Sequence, residues 1–275
     1  MDTLVLKNRR DWDAVAAACL KTSVQFWFFI TVIGQWLFVY YIAGFYAGPT
    51  LQGNFEAWSS NKALPHGFVA GDTIGNLQFA AHVLLAAVMT VAGTLQLIPQ
   101  LRARVPALHR WSGRLFIVTA IALSIGGLYM VWISGRRNHL FGGFAISLNA
   151  LSIIFCAVMA WRYAIARDFA SHRRWALRTF VLASGVWFMR LGYMAWIIIN
   201  QGPVGVAKGM TGPFDYFWAL ACFLMPLAVV EIYLQVQRHG ATGARFALTG
   251  GMFIAAILTA IGSFGAYMFM WRNLI

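Results

Sequence analysis

Long apolar runs separated by short polar stretches dominate the hydrophobic pattern of this chain. Seven such runs occur, at roughly 24–46, 76–98, 115–134, 143–165, 177–199, 214–236 and 246–270. About 20 apolar residues suffice to cross the ~30 Å hydrocarbon core of a bilayer as a helix. Backbone polar groups inside lipid must be hydrogen-bonded locally, so each run is predicted to be an α-helix. The pattern therefore predicts an all-α polytopic membrane protein with seven transmembrane helices, numbered segments 1 to 7.

A second pattern is an internal repeat with an offset of 64 residues. HRWSGRLF (His109 to Phe116) is echoed by RRWALRTF (Arg173 to Phe180). The match continues without a gap up the following apolar run, through the pairs Trp111/Trp175, Arg114/Arg178, Phe116/Phe180, Tyr129/Tyr193, Met130/Met194, Trp132/Trp196 and Ile133/Ile197. Weaker identities extend back into segments 2 and 4. The repeat predicts a four-helix core, residues 72–200, made from one helical hairpin used twice. Repeats often place a site between their two copies, although duplicated hairpins also arise simply as a way to build a bundle.

Composition and charge agree with a membrane protein and set its orientation. The chain is 60% hydrophobic and 11% charged, with a net charge of +13. Fifteen of the 21 lysines and arginines lie before segment 1 or in the loops 2–3, 4–5 and 6–7, five lie on the other side, and Arg190 lies within a segment. The positive-inside rule therefore predicts a cytoplasmic N-terminus and an outside C-terminus. The basic inner face is expected to attract anionic membrane lipids, and the charge gives no argument for nucleic-acid binding.

The domain organisation follows from the same pattern. Residues 1–23 are predicted to be a basic, amphipathic cytoplasmic segment, and 24–275 a single seven-helix membrane domain in which 214–270 supplies two flanking helices. The apolar run of segment 1 exceeds that of a cleavable signal peptide, so it is expected to be retained as an anchor. The three cysteines, Cys19, Cys156 and Cys222, are too scattered for a metal motif and are expected to be buried apolar side chains.

Two ionisable side chains lie deep within the apolar runs. Ionisable residues in membrane helices are rare and usually face the bundle interior. His82 in segment 2 is therefore either a core histidine bonded to a neighbouring helix, or a haem or metal ligand or proton carrier. Arg190 in segment 5 has no acidic residue at its depth, so it is expected to snorkel, bind carbonyl groups or hold an anionic ligand. The two lie at similar depth, which predicts an outer-half pocket of His82, Arg190 and Tyr193. Glu231 is expected to neutralise arginines at the inner side.

His109 and His172 stand at the cytoplasmic ends of the two repeated helices. One interpretation is a bis-histidine haem site at the inner interface between the copies. The neighbouring arginines would suit haem propionates, a phosphate or a quinone head group, and they are Arg110, Arg114, Arg173 and Arg178. The other interpretation is that both motifs are interfacial membrane anchors. On the outer side, His139 could pair with His82, although their depths differ by one to two turns.

These residues together resemble a known family. A helix with His82, then GTLQLIPQLRARVPALHRWSGRLF, then SHRRWALRTF and an intramembrane Arg190, is similar to the bacterial membrane proteins grouped as "domain of unknown function 2306", over about 72–200. The pattern covers His82, Gly93, Gln96, Pro99, His109, Arg110, Gly113, Arg114, His172, Arg173, Arg178 and Arg190. The resemblance implies a protein of the bacterial cytoplasmic (inner) membrane. In plan, the four-helix unit is also similar to two-haem transmembrane cytochromes b, which pair histidines at both membrane faces.

Three functions remain open on the sequence. The first is a membrane redox protein that binds haem b or a quinone in the bundle of segments 2–5 and passes electrons within the membrane. The second is a non-catalytic accessory or assembly subunit that packs against a larger membrane complex through the aromatic segments 1, 6 and 7. The third is a carrier for a small anion that uses Arg190.

Overall fold

The structure, a computed structural model, describes residues 2–61, 67–137 and 139–274, with backbone alone for residues 2–10. Lys62, one of the five basic residues predicted to lie on the outer side, is outside the described residues. Within them the chain is helical, and no β-strand is present. The α-helices are α1 (Asp2–Ile42), α2 (Gly48–Leu51), α3 (Thr73–Gln96), α4 (Pro99–Arg104), α5 (Pro106–Trp132), α6 (Leu140–Ile165), α7 (Phe169–Ala183), α8 (Gly185–Ile199), α9 (Pro213–His239) and α10 (Thr242–Gly265). The all-α prediction is therefore confirmed.

The first helix is longer than the sequence suggested. Residues predicted to form a separate surface segment, 1–23, belong largely to α1, which runs unbroken from Asp2 to Ile42. Forty-one residues correspond to about 60 Å of helix, twice the thickness of the hydrocarbon core. No glycine or proline occurs before Gly34, so nothing in the sequence breaks the helix. Its extension is tied to the start of α10, because the Asp13 carboxylate accepts a hydrogen bond from Thr242 and pairs with Arg245 at 4.0 Å.

Segment 5 is a broken helix. It consists of α7 and α8, which meet at an angle of 53°. The break falls at Ser184–Gly185, and serine–glycine pairs are a recognised cause of sharp kinks. The Ser184 hydroxyl donates to the Phe180 carbonyl oxygen at 2.8 Å, which competes with the helical bonding of that turn. In the first copy of the repeat the same positions hold Ala120 and Ile121, and α5 continues without interruption.

Contacts between helix ends show that the broken pair crosses the bundle. His139 at the start of α6 packs against Tyr216 at the start of α9, with ring centroids 5.4 Å apart. The two helices therefore begin at the same end of the bundle. α7 begins at the opposite end, where His172 bonds to Ala160 in the last turns of α6. Since α8 finishes close to the start of α9, with Tyr193 bonded to Asp215, α7 and α8 together make one crossing. Six unbroken helices are long and apolar enough to cross a membrane, and with this pair counted as one span the number of candidate spans reaches the seven predicted.

Five of the spans form a ring. Neighbouring members α1, α3, α5, α6 and α7–α8 pack against each other in that order. The ring closes where the Trp187 indole donates to the Gly34 carbonyl oxygen at 3.2 Å, joining α8 to α1. α10 packs behind α1 and α8, and α9 packs against α6, α7 and α8. α1 was expected to flank a four-helix core, and instead it supplies one wall of the ring.

Candidate functional site

The ring encloses a cavity of ≈ 270 Å³ at membrane depth. Its walls are mainly aliphatic and aromatic, and each of the five ring members contributes to them. The polar side chains that line it include Gln35 from α1, His82 from α3, Asn149 from α6 and Arg190 from α8. Small-molecule sites are typically clefts of about 300–1,000 Å³ with apolar walls and a few convergent polar groups. The cavity has this character, with a volume just below that size range.

His82 reaches the cavity from α3. It lies nine residues from the first residue of that helix, about 14 Å along the axis. Its ring rests on the small residues Gly126 and Gly127 of α5, where an added Cβ would lie 3.6 and 3.7 Å from ring atoms. The Nδ1 atom is buried and has no hydrogen-bond partner among the described residues. His82 is thus placed by packing, with one ring nitrogen uncommitted.

Arg190 enters the same cavity from α8. It lies nine residues before the end of that helix, so its depth matches that of His82. One guanidinium nitrogen donates to the Val186 carbonyl oxygen at 3.0 Å, and the guanidinium carbon lies 5.1 Å from the centroid of the Phe38 ring. Among the residues that the structure describes, it forms no ion pair. The cation is therefore held by a carbonyl and an aromatic face, and most of its five donors are left for another partner.

Two amides, one buried and one partly buried, complete the polar part of the cavity. Gln35 is 2% exposed, and its Nε2 donates to the Ser184 hydroxyl at 2.9 Å. Asn149 donates from Nδ2 to the Leu182 carbonyl oxygen at 3.3 Å. Within the described part of the chain, Gln35 Oε1 and Asn149 Oδ1 accept no hydrogen bond. An unpaired buried acceptor costs about 1–3 kcal/mol, so a hydrogen-bond donor placed in the cavity would be stabilised by these oxygens.

Sequence reasoning missed both amides. A signal was present, since Gln35 and Asn149 are polar amides within apolar segments 1 and 4. Such residues in membrane helices normally face protein or a cavity.

An aromatic cap covers the side of the cavity that the sequence predicts to face outwards. The lining residues Tyr46 and Phe79 both pack against Trp58 of the outer loop, with ring centroids 5.7 and 5.6 Å away. Asn61 donates from Nδ2 to the hydroxyls of Tyr41 and Tyr46, at 2.7 and 3.1 Å. The long loop between segments 1 and 2 thus folds onto the ring through side chains that also line the site.

A charged anchor ties this cap to α3 and α5. Arg136 donates from Nη2 to Asp72 and Asn76, at 3.1 Å each, and from Nη1 to the Gly67 carbonyl oxygen at 2.9 Å. Asp72 is also the N-cap of α3 and accepts from the Gly75 N–H. That N–H, together with the Arg136 guanidinium, lowers the pKa of the Asp72 carboxyl. The ion pair fixes the outer rim of the site.

The repeat differs between its copies where the cavity lies. At the 64-residue offset, His82 corresponds to Ile146 and Gly126 corresponds to Arg190. In the first copy the ionisable residue is on the first helix of the hairpin (His82). In the second copy it is on the second helix (Arg190). All but Gly126 line the cavity, and Gly126 supports the His82 ring. The two ionisable side chains thus lie at positions where the sequences of the copies differ, on helices that the repeat has in common.

Tyr193 and His139, which the sequence analysis considered for the outer site, form contacts outside the cavity. The Tyr193 hydroxyl donates to the buried carboxylate of Asp215 at 2.7 Å, so it secures the start of α9. His139 caps α6 by accepting from the Gly142 N–H at 3.1 Å, and its ring packs against Tyr216. The outer-half pocket therefore contains His82 and Arg190, with Gln35 and Asn149 in place of Tyr193.

At the inner side the structure brings His109 and His172 within electrostatic range of each other. The His172 Nδ1 lies 2.9 Å from the Ala160 carbonyl oxygen. A carbonyl only accepts, so the neutral ring carries its proton on Nδ1 and leaves the Nε2 lone pair available. His109 has a buried Nδ1 with no partner among the described residues. No group of three or more His, Cys, Asp or Glu side chains within the described ranges could hold a metal ion, but a bis-histidine site needs only two.

The four inner arginines face different partners. Arg178 forms a bidentate ion pair with Glu231 of α9, at 2.5 and 2.8 Å, as expected for Glu231. Arg173 donates to Gln237 at 3.2 Å, and Arg114 lies over the Trp111 ring at 5.0 Å. Arg110 is exposed. Three of the four thus have partners within the protein, and they do not converge on one ligand.

Comparison with known proteins gives one result for the family. A family model described as "Predicted membrane protein (DUF2306)" matches residues 79–234, which is more than half of the chain. No curated protein and no solved structure matches the chain.

Proposed function

The chain belongs to the DUF2306 family of predicted membrane proteins, and we propose that it binds a lipid-soluble quinone in the ring cavity, as a membrane redox protein. One observation carries the proposal. A single cavity at membrane depth collects both intramembrane ionisable side chains, His82 and Arg190, together with the two amides that have unpaired oxygens, Gln35 and Asn149.

The chemistry of the walls suits both redox forms of a quinone. The oxidised ring is planar and apolar with two carbonyl acceptors, and Arg190 offers several unused N–H donors. The reduced quinol carries two hydroxyl donors, for which Gln35 Oε1 and Asn149 Oδ1 are acceptors. Phe116, Trp187 and the aliphatic lining residues would surround the quinone ring with apolar surface. Hydrogen bonds to charged donors in such a dry site are worth about 1.5–3 kcal/mol each.

Quenching of Trp187 fluorescence by decylubiquinone tests the proposal. Trp187 lines the cavity, so a bound quinone is expected to quench it in the purified protein and to raise the melting temperature. Arg190→Gln is expected to weaken binding about tenfold or more, since it removes a charged donor. Trp187→Phe should remove most of the quenching, which would identify Trp187 as the tryptophan next to the quinone. Arg238→Gln, a loss of charge at an exposed position outside the ring, serves as the control.

The results distinguish quinone binding from the anion-carrier hypothesis. Equal quenching in wild type and Arg190→Gln would place the quinone outside the cavity and contradict the proposal. Stabilisation by chloride, phosphate or sulfate but not by the quinone, lost in Arg190→Gln, would favour the anion-carrier hypothesis instead.

A second candidate is haem b ligated by His109 and His172. The observation that favours it is the His172 ring, whose Nδ1 is held by a backbone carbonyl as in many ligating histidines. Bound haem would supply one-electron chemistry at the inner side, and the two histidines would be its axial ligands. The expected result is a Soret band in protein from haem-replete cells that disappears in the His109→Ala/His172→Ala variant. A colourless preparation would contradict it without affecting the quinone proposal.

A further inference from the structure

A second concave surface lies on the outside of the bundle, between α5 and α6. It has a volume of ≈ 270 Å³ and is lined by Ile117, Val118, Ile121, Val158, Trp161 and Arg162. The α5 members lie at i, i+1 and i+4, and the α6 members at i, i+3 and i+4, so each set forms one helix face. Apart from the Arg162 head group, the groove is apolar.

Positive charge is concentrated at one end of this groove. Arg162 lies one turn beyond Val158 on α6, and Arg114 lies one turn before Val118 on α5. Both arginines are exposed, and within the described ranges neither forms an ion pair. Trp111 is 67% exposed beneath the Arg114 guanidinium, and Trp161 is 36% exposed in the groove wall. Exposed tryptophans at a helix end are typical of the membrane–water interface.

We infer that this groove binds an anionic phospholipid, with one acyl chain along the aliphatic residues and its phosphate between Arg114 and Arg162. The groove points into the hydrocarbon region from a basic end, which matches the shape of a lipid chain below its head group. Two guanidinium groups without an ion pair among the described residues favour a head group with net negative charge over a zwitterionic one. The site lies outside the ring and is independent of the quinone proposal.

Phospholipids with brominated acyl chains test this site, because bromine quenches nearby tryptophan fluorescence. The part of the signal that belongs to Trp161 is the difference between wild type and Trp161→Phe. Brominated phosphatidylglycerol is expected to quench this component at a several-fold lower mole fraction than brominated phosphatidylcholine. The Arg114→Gln/Arg162→Gln variant should lose the preference, while Arg104→Gln/Arg238→Gln, with the same loss of charge at exposed positions of the same end, should keep it.

Two results would overturn the inference. One is equal quenching by both lipids in wild type, which needs no variant and so does not depend on folding. The other is an equal loss of preference in the two double variants, which would mean that the basic face acts through its total charge alone.

Discussion

The two arginines of the broken span show how a partner changes the role of a charge. The Arg178 guanidinium is paired with the carboxylate of Glu231, and this ion pair joins α7 to α9. Among the described residues, Arg190 contacts a carbonyl oxygen and the Phe38 ring and forms no ion pair, so its charge is poorly compensated within the protein. A charge near the middle of a membrane helix costs about 2.5–3.5 kcal/mol on insertion scales. The cavity therefore keeps an unfavourable group, which is common where a residue serves binding more than stability.

Replacing each arginine by methionine should change stability in opposite directions. Arg190→Met removes an uncompensated charge, and the unliganded protein should gain about 1–3 kcal/mol. Arg178→Met leaves the partly buried Glu231 without its partner and should cost about 1–3 kcal/mol. Thermal unfolding of the purified variants in one detergent measures both effects. A lower melting temperature for Arg190→Met would show that its carbonyl and aromatic contacts already compensate the charge.

The Asp72–Arg136 pair gives the outer rim a defined response to pH. The folded-state pKa of Asp72 is lowered by the Gly75 N–H and Arg136, so its contribution to stability is complete above the unfolded-state pKa of about 3.9. That contribution is lost as the pH falls through the lower, folded-state pKa. Asp72→Asn keeps a capping side chain but removes the charge, so its melting temperature should be lower at neutral pH and should fall less on acidification.

Asp168 caps α7 by accepting from the Ser171 N–H, and it serves as the matched control. If Asp168→Asn alters the acid profile as much as Asp72→Asn, the response belongs to N-caps in general and not to the ion pair with Arg136.

At the scale of elements, the kink at Ser184–Gly185 lies at the wall of the cavity. An added Cβ at Gly185 would lie 2.8 Å from Asn149 Nδ2 and 3.2 Å from Phe223 Cβ, so the glycine allows α6 and α9 to approach the bend. Ser184 meanwhile lines the cavity and accepts from Gln35. The bend thus positions both amides of the site.

Gly185→Ala should therefore destabilise the protein by about 1–3 kcal/mol, as overpacking in a dense core usually does. It should also weaken quinone binding, since Asn149 must move. Gly250→Ala in α10 is the control for a helical glycine, because an added Cβ there would meet no atom within 4 Å. Thermal unfolding and Trp187 quenching measure the two effects, and similar losses in both variants would show that the bend has no special role.

Periodic and apolar patterns were enough to predict the spans and the common depth of His82 and Arg190. They did not predict where helices begin or break. α5 begins at Pro106 and not at 115, because Arg110 and Arg114 continue the helix into the interfacial region. The Ser184–Gly185 break is hidden in an apolar run whose hydropathy is unaffected by it. The roles of Gln35 and Tyr193 depend on which neighbour each side chain meets, and no single segment carries that information.

At the scale of the whole molecule, the broken pair decides the orientation of the chain ends. If α7–α8 is one crossing, seven spans place the two termini on opposite sides of the membrane. A re-entrant pair would leave six spans and both termini on one side.

Fusions at the two ends distinguish these arrangements. Alkaline phosphatase fused after Leu274 should be active, because it folds outside the cytoplasm, and green fluorescent protein at that position should be dark. Green fluorescent protein at the N-terminus should fluoresce, as the positive-inside rule requires. Fluorescence from both ends would instead indicate the re-entrant arrangement.

The packing of α1 against α10 has a consequence for how the protein is made. The two helices are in contact through residues such as Trp27 with Thr259, and α1 is a wall of the cavity. Synthesis proceeds from the N-terminus, so the first wall enters the membrane long before its main partner exists. The α1 wall therefore has no α10 to pack against until synthesis of the last helix is complete. Translation that stops after α9 leaves all residues of the family match in place but leaves α1 without this partner.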